Sequence, residues 1–183
     1  MNLDNFREEV AVKHNRTLNQ ILYLLAWVIM VVCTITAMAN LTALVGGAFR
    51  MEYLMDHGLP CLICAVIAVL IWKNKDELRV EYDYTFTNGD LDVGKVFGNS
   101  RRKLMTSLAM KNVEAAGPVT DKGFIRFRDN KDVKKHNWFV NRDAHLYYFY
   151  FVKNEIRHAI ILELSPDMVK MLKPYLGFGV WQG

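Results

Sequence analysis

Cys61 and Cys64, within Leu59-Pro60-Cys61-Leu62-Ile63-Cys64, are the sharpest local chemical signal in the chain. Two thiols at this spacing exchange with a disulfide when one is held as thiolate, and the free amides at a helix N-terminus stabilise that anion. Pro60 suits a helix start and so places the pair at the mouth of a helix. The competing reading is packing: small apolar cysteines beside Ala65 and Ala68 suit a tight helix contact in lipid. A second signal is basic. Arg101, Arg102 and Lys103 adjoin a turn, and Lys131, Lys134 and Lys135 form a looser set with Arg126, Arg128 and Trp138 close by. Held within a Debye length of anionic lipid, each such side chain gains about 1 kcal/mol. Asp121, Asp129, Asp132 and Asp143 interleave with them, so a merely solvated mixed-charge face is the alternative.

The remaining candidates carry less. His136, Asp143 and His145 lack metal-ligand spacing, and His57 and His158 have no evident partner in the sequence. There is no phosphate-binding glycine loop, no G-x-S-x-G and no H-E-x-x-H. The expectation is therefore no metal, no cofactor and no catalytic constellation, with Tyr147 to Phe151 reading as core.

The elements that must position these residues fall into two regimes. Residues 1–72 hold 4 basic and 5 acidic side chains, and residues 73–183 hold 19 and 14. Thr17 to Phe49 is free of Asp, Glu, Lys and Arg, as is Gly58 to Trp72. A helix of roughly 20 apolar residues crosses a bilayer core, so the first stretch is long enough. The second is short, and spans only by starting near Tyr53 or by local thinning. Gly46-Gly47 is a natural end for the first helix, and Asn40 and Thr42 then lie near the far interface. Trp72 with Lys73 and Lys75, and Tyr23 with Trp27, suit interfacial anchors. Arg7, Lys13 and Arg16 precede the first span and Lys73, Lys75 and Arg79 follow the second, against Arg50 alone between them. That bias predicts a multi-pass protein of the cell membrane with both termini cytoplasmic.

From Val80 the period becomes two. Val80, Tyr82, Tyr84 and Phe86 alternate with polar residues, Asn88-Gly89 supplies a tight hairpin, and Leu91 and Val93 resume up to a bulge at Gly94. Short apolar segments at Leu104 to Val113, Phe124 to Phe127 and Trp138 to Val140 read as further strands. His145 to Val152 suits a central strand, and Lys153-Asn154-Glu155 turns the chain into Ile156 to Leu164. Ser165-Pro166-Asp167 predicts a helix start, with Val169, Leu172 and Leu176 on one face and Gly177 as the stop.

About seven strands and a closing helix resemble a pleckstrin-homology-like (PH-like) domain. Behind a two-helix hairpin, EYDYTFTNGDLD at 81–92 and SRRK at 100–103 resemble an uncharacterised family of bacterial membrane proteins with such a domain. That resemblance implies a fold and a topology but no catalytic residue. The cysteine pair also resembles the first pair of quinone-coupled membrane disulfide oxidases, although those need more membrane helices and a second external pair.

The expected architecture is an α+β membrane protein. A cytoplasmic segment (1–17) leads to a transmembrane α-hairpin (18–72) and a linker (73–79). A PH-like antiparallel β-barrel or sandwich with a C-terminal helix (80–177) and a tail (178–183) follow. The expected function is a non-enzymatic binding or assembly module. It presents Arg101, Arg102, Lys103, Lys131, Lys134 and Lys135 to lipid headgroups or a protein partner, with homo-oligomerisation possible and nucleic acid excluded by the modest charge. The rival is a thiol-disulfide oxidoreductase using Cys61 and Cys64.

Overall fold

The computed structural model describes residues 5–14, 16–47, 50–98 and 101–183. The chain forms two compact units. One is Asn15–Arg79, and the other joins the N-terminal residues up to His14 with Val80–Gly183.

The helical unit is a hairpin. Helix α1 (Arg16–Gly46) has 31 residues, about 46 Å at 1.5 Å per residue, and ends where the glycine pair predicts. After Arg50 the backbone turns helical at Met51 and stays so through α2 (Met51–Tyr53), a wide turn (Leu54–Gly58) and α3 (Leu59–Asn74), closing with a tight turn at Lys75–Arg79. Pro60 has no N–H to donate to the Asp56 carbonyl, and the wide turn lies just ahead of it, where the helix accommodates that loss. Thr17–Gly46 and Met51–Arg79 are thus both long and apolar enough to cross a membrane. The early start at Met51 supplies the length that Gly58 to Trp72 lacks.

The two helices run antiparallel. The Asn19 amide donates to the Leu78 carbonyl at 3.1 Å, and the Cys61 thiol donates to the Ala37 carbonyl at 3.3 Å. His57 Nδ1 lies 3.0 Å from Asn40 Oδ1. The Arg79 guanidinium sits 3.8 Å over the Tyr23 ring and Lys75 Nζ 5.2 Å over Trp27, which gathers aromatics and cations at one end of the hairpin.

The second unit has two four-stranded sheets. Sheet 1 has the order β1 (Phe6–Ala11), β2 (Val80–Thr87), β3 (Asp90–Phe97), β4 (Arg101–Ala109), all antiparallel. Sheet 2 has the order β5 (Val113–Pro118), β7 (Leu146–Lys153), β8 (Ile156–Glu163), β6 (Val133–Trp138), with β6 parallel to β8. The hairpin turn is as expected, with positive φ at Asn88 and Gly89, and the register slips at Val93/Gly94. β7 is central, between β5 and β8. Tyr84, Phe86, Leu91 and Val93 of sheet 1 pack against Phe149, Ile160 and Leu162 of sheet 2 in the main core. The Tyr84 hydroxyl fastens the layers by donating to the Trp138 carbonyl at 2.6 Å.

Five expectations are corrected. The strands are not antiparallel throughout, since β6 runs parallel to β8. The strands do not close into a barrel; sheet 1 and sheet 2 each keep their own edges. Phe6–Ala11, expected to lie outside the β structure, is strand β1, opposite β2 with Ala11 facing Tyr82. Its pattern is inverted for a core strand: Phe6 and Val10 face outward, whereas Arg7 and Glu9 face inward. Glu9 has a reason to do so, because Ser165 donates to its carboxylate through both backbone N–H (3.0 Å) and hydroxyl. Phe124 to Phe127 is helical, within α4 (Lys122–Arg128). The Asp121 carboxylate caps it by accepting the Gly123 N–H at 2.6 Å, and Phe124 and Phe127, one turn apart, both pack on Tyr148. The strand expected at Trp138 to Val140 ends at Trp138.

The closing helix α5 (Pro166–Leu172) starts as expected, with the Ser165 hydroxyl accepting the Met168 N–H at 3.1 Å. It ends at Leu172 rather than running on to Gly177, tightening into a single turn at Lys173–Tyr175 because Pro174 cannot donate the next helical bond.

Candidate anion-binding site

The strand register on the two sides of β3 sets the geometry of the basic run. A two-residue turn pairs Thr87 with Asp90, and the register continues to Val80 opposite Phe97. On the other side β3 places Lys95 directly opposite Lys103, Val96 opposite Arg102 and Phe97 opposite Arg101. Because successive strand residues alternate faces, Arg101 and Lys103 share one face with Lys95, while Arg102 points to the other.

Arg102 is used inside the protein. Its Nε lies 2.9 Å from Asp83 Oδ2 and a terminal nitrogen 3.6 Å from Glu8 Oε1. Asp83 is only 7% exposed, and burial pushes its carboxyl pKa up while Arg102 opposes that rise. Gly94 lies between them, and a Cβ there would come within 3.3 Å of Arg102 Nε. The guanidinium reaches across the bulge because no side chain stands in its path.

Lys95, Arg101 and Lys103 have no such partner: none forms an ion pair among the described residues. Lys95 Nζ lies 4.6 Å from the Phe97 ring centre and the Arg101 guanidinium 5.1 Å. Directly opposed like charges cost free energy in a sheet, so the arrangement is one that a bound anion relieves. Lys95 was missed by a reading of runs along the chain. The register that follows from Asn88-Gly89 sets Lys95 opposite Tyr82, and its place beside Lys103 is decided by the separate pairing of β3 with β4.

The second basic set is not joined to the first. Lys131 lies between α4 and β6, and Lys134 and Lys135 occupy adjacent positions on β6, the edge strand of sheet 2, so they face opposite ways. His158 has a partner after all: its Nδ1 lies 3.2 Å from His136 Nε2, with rings nearly parallel at 18°. Phe151 flanks His158 and Trp138 flanks His136. Burial lowers both histidine pKa values, assisted by Lys134, and for His158 also by His136 and Lys153.

Cys33, Cys61 and Cys64 are free thiols. Cys61 and Cys64 do not sit at the mouth of a helix, because helical backbone from Met51 precedes them and occupies the amides that would stabilise a thiolate. Among the described residues no group of His, Cys, Asp and Glu has the makings of a metal site.

No curated protein and no solved structure matches the chain. The family profile described as bacterial PH-like domain (DUF6106) matches residues 4–182, which takes in β1, the helical hairpin and both sheets together. Two sheets, a C-terminal helix and that match over nearly the whole length agree: the chain belongs to the DUF6106 family of bacterial PH-like domains.

Proposed function

We propose that this protein is a membrane-anchored, non-enzymatic binding module whose PH-like domain holds anionic lipid headgroups through Lys95, Arg101 and Lys103. The two apolar helices cross the cell membrane, and both chain termini lie on the cytoplasmic side. The unpaired cation cluster around Phe97 carries the reading. Its place in the chain supports it: Val80, the first residue after the apolar hairpin, is the register partner of Phe97. Three cations at a headgroup surface supply about 3 kcal/mol, enough to hold a tethered domain down but too little to recruit a free one. Lys131, Lys134 and Lys135 are secondary contacts in this reading. Exchange chemistry at Cys61 and Cys64 has no support in their surroundings, where the Cys61 thiol is spent on a carbonyl of the neighbouring helix.

The test uses the full chain in nanodiscs. With phosphatidylglycerol present, backbone amides of residues 95–103 exchange more slowly than in nanodiscs of phosphatidylcholine alone, and the difference disappears in a Lys95→Glu/Lys103→Glu variant. Equal exchange in the two lipids would overturn the headgroup reading.

A further inference from the structure

Sheet 2 lies between sheet 1 and α4: its one face shares the main core with sheet 1, and Tyr148 on the other packs against Phe124 and Phe127 of α4. The outer face of sheet 1 and the outer face of α4 are therefore the two opposite ends of a three-layer stack. They differ in charge. Register places Glu8 and Asp92 in one row across the outer face of sheet 1, with Asp90 in the row beside it. Arg102, the only cation whose position lies on this face among the described residues of sheet 1, is already committed to Asp83 and Glu8. Apolar side chains stand among these acids: Phe6 is 57% exposed, Val10 49% and Leu104 63%.

The α4 face carries the complement. Lys122, Arg126 and Arg128 are exposed on it around Ile125, itself 45% exposed. Lys135 and Arg157 stand on the same side of sheet 2, by register with the buried Val133. Asp129 pairs with Arg128 at 2.8 Å and also feels the charge of Lys135.

We propose that the acidic outer face of sheet 1 in one copy of this chain docks on the basic α4 face of a second copy. Each face offers apolar side chains among charges opposite to those of the other, which favours this pairing, while sheet-to-sheet and helix-to-helix contacts oppose like charges. Because the two surfaces lie on opposite sides of one domain, the contact is heterologous and leaves a free face at each end, so copies add in rows rather than closing as pairs. Lys95, Arg101 and Lys103, which carry the headgroup reading, belong to neither face; the two readings share Lys135, a secondary contact in the first.

Cross-linking of the full chain in detergent micelles tests it, in a background with Cys33, Cys61 and Cys64 replaced by alanine. A Leu104→Cys chain mixed with an Ile125→Cys chain forms 104–125 cross-links with a short bis-maleimide, and neither chain alone links to itself. Raising salt lowers the yield by on the order of tenfold, as expected for a contact governed by screened charge. Asp92→Lys, introduced into the Leu104→Cys chain, removes the link, and Arg126→Glu in the Ile125→Cys chain restores it. Monomer at every concentration in sedimentation, symmetric 104–104 links, or a link that ignores salt and Asp92→Lys would each overturn the proposal.

Discussion

Arg101 and Arg102 are neighbours in the chain with different surroundings, because alternate strand residues face opposite ways. Truncating Arg102 leaves the Asp83 carboxylate buried without its partner. Arg102→Ala is expected to cost about 1–3 kcal/mol in chemical denaturation, and Asp83→Asn in the same chain to recover much of it. Arg101→Ala, by contrast, is expected to leave stability within about 0.5 kcal/mol of the parent. The His136–His158 pair makes a second prediction, of pH dependence. Both folded pKa values lie below the value of about 6.5 found in an unfolded chain, so the unfolded state takes up protons first. The stability tied to the pair is therefore complete above about pH 6.5 and is lost as pH falls through the lowered folded values. Thermal unfolding of the full chain between pH 8 and pH 5 should show this fall, and His158→Phe should flatten it. The pairing of His158 was illegible in the sequence, since 22 residues separate it from His136 and only the parallel β6–β8 contact brings them together.

At the scale of elements, the turns and caps were the legible part. Asn88-Gly89 and Ser165-Pro166 act locally, through positive φ and a hydroxyl acceptor, and both stand where expected. The turn from β7 to β8 is less well matched: Asn154 and Glu155 take φ of 51° and 62°, and Glu155 pays the steric cost of a Cβ in left-handed backbone. Glu155→Gly should raise stability by about 1 kcal/mol, read from the denaturation midpoint. β1 and α4 were the illegible part. β1 carries its charges inward because Glu9 serves the cap of α5, a demand made by an element more than 150 residues away. The sequence FIRF suits either a short strand or one helical turn, and contact with Tyr148 decides for the turn.

At the scale of the whole molecule, the helical hairpin is an insertion into the β1–β2 connection, because the strands on either side of it are adjacent and Ala11 faces Tyr82. A fragment beginning at residue 76 lacks the first strand of sheet 1 and exposes the edge of β2. It should aggregate or melt earlier than a chain in which residues 5–12 are joined to 80–183 by a short glycine linker, as differential scanning fluorimetry of the two would show. Composition and hydropathy period by themselves determined two apolar helices, a β-rich second region and its closing helix, because these depend on neighbours a few residues apart. Only the tertiary structure decided that the N-terminus completes sheet 1, that the sheets stay open, that Arg102 is withdrawn from the basic run while Lys95 joins it, and that acid and base collect on opposite faces. Those are matters of strand register and of which layer lies behind which, set by contacts between residues far apart in the chain.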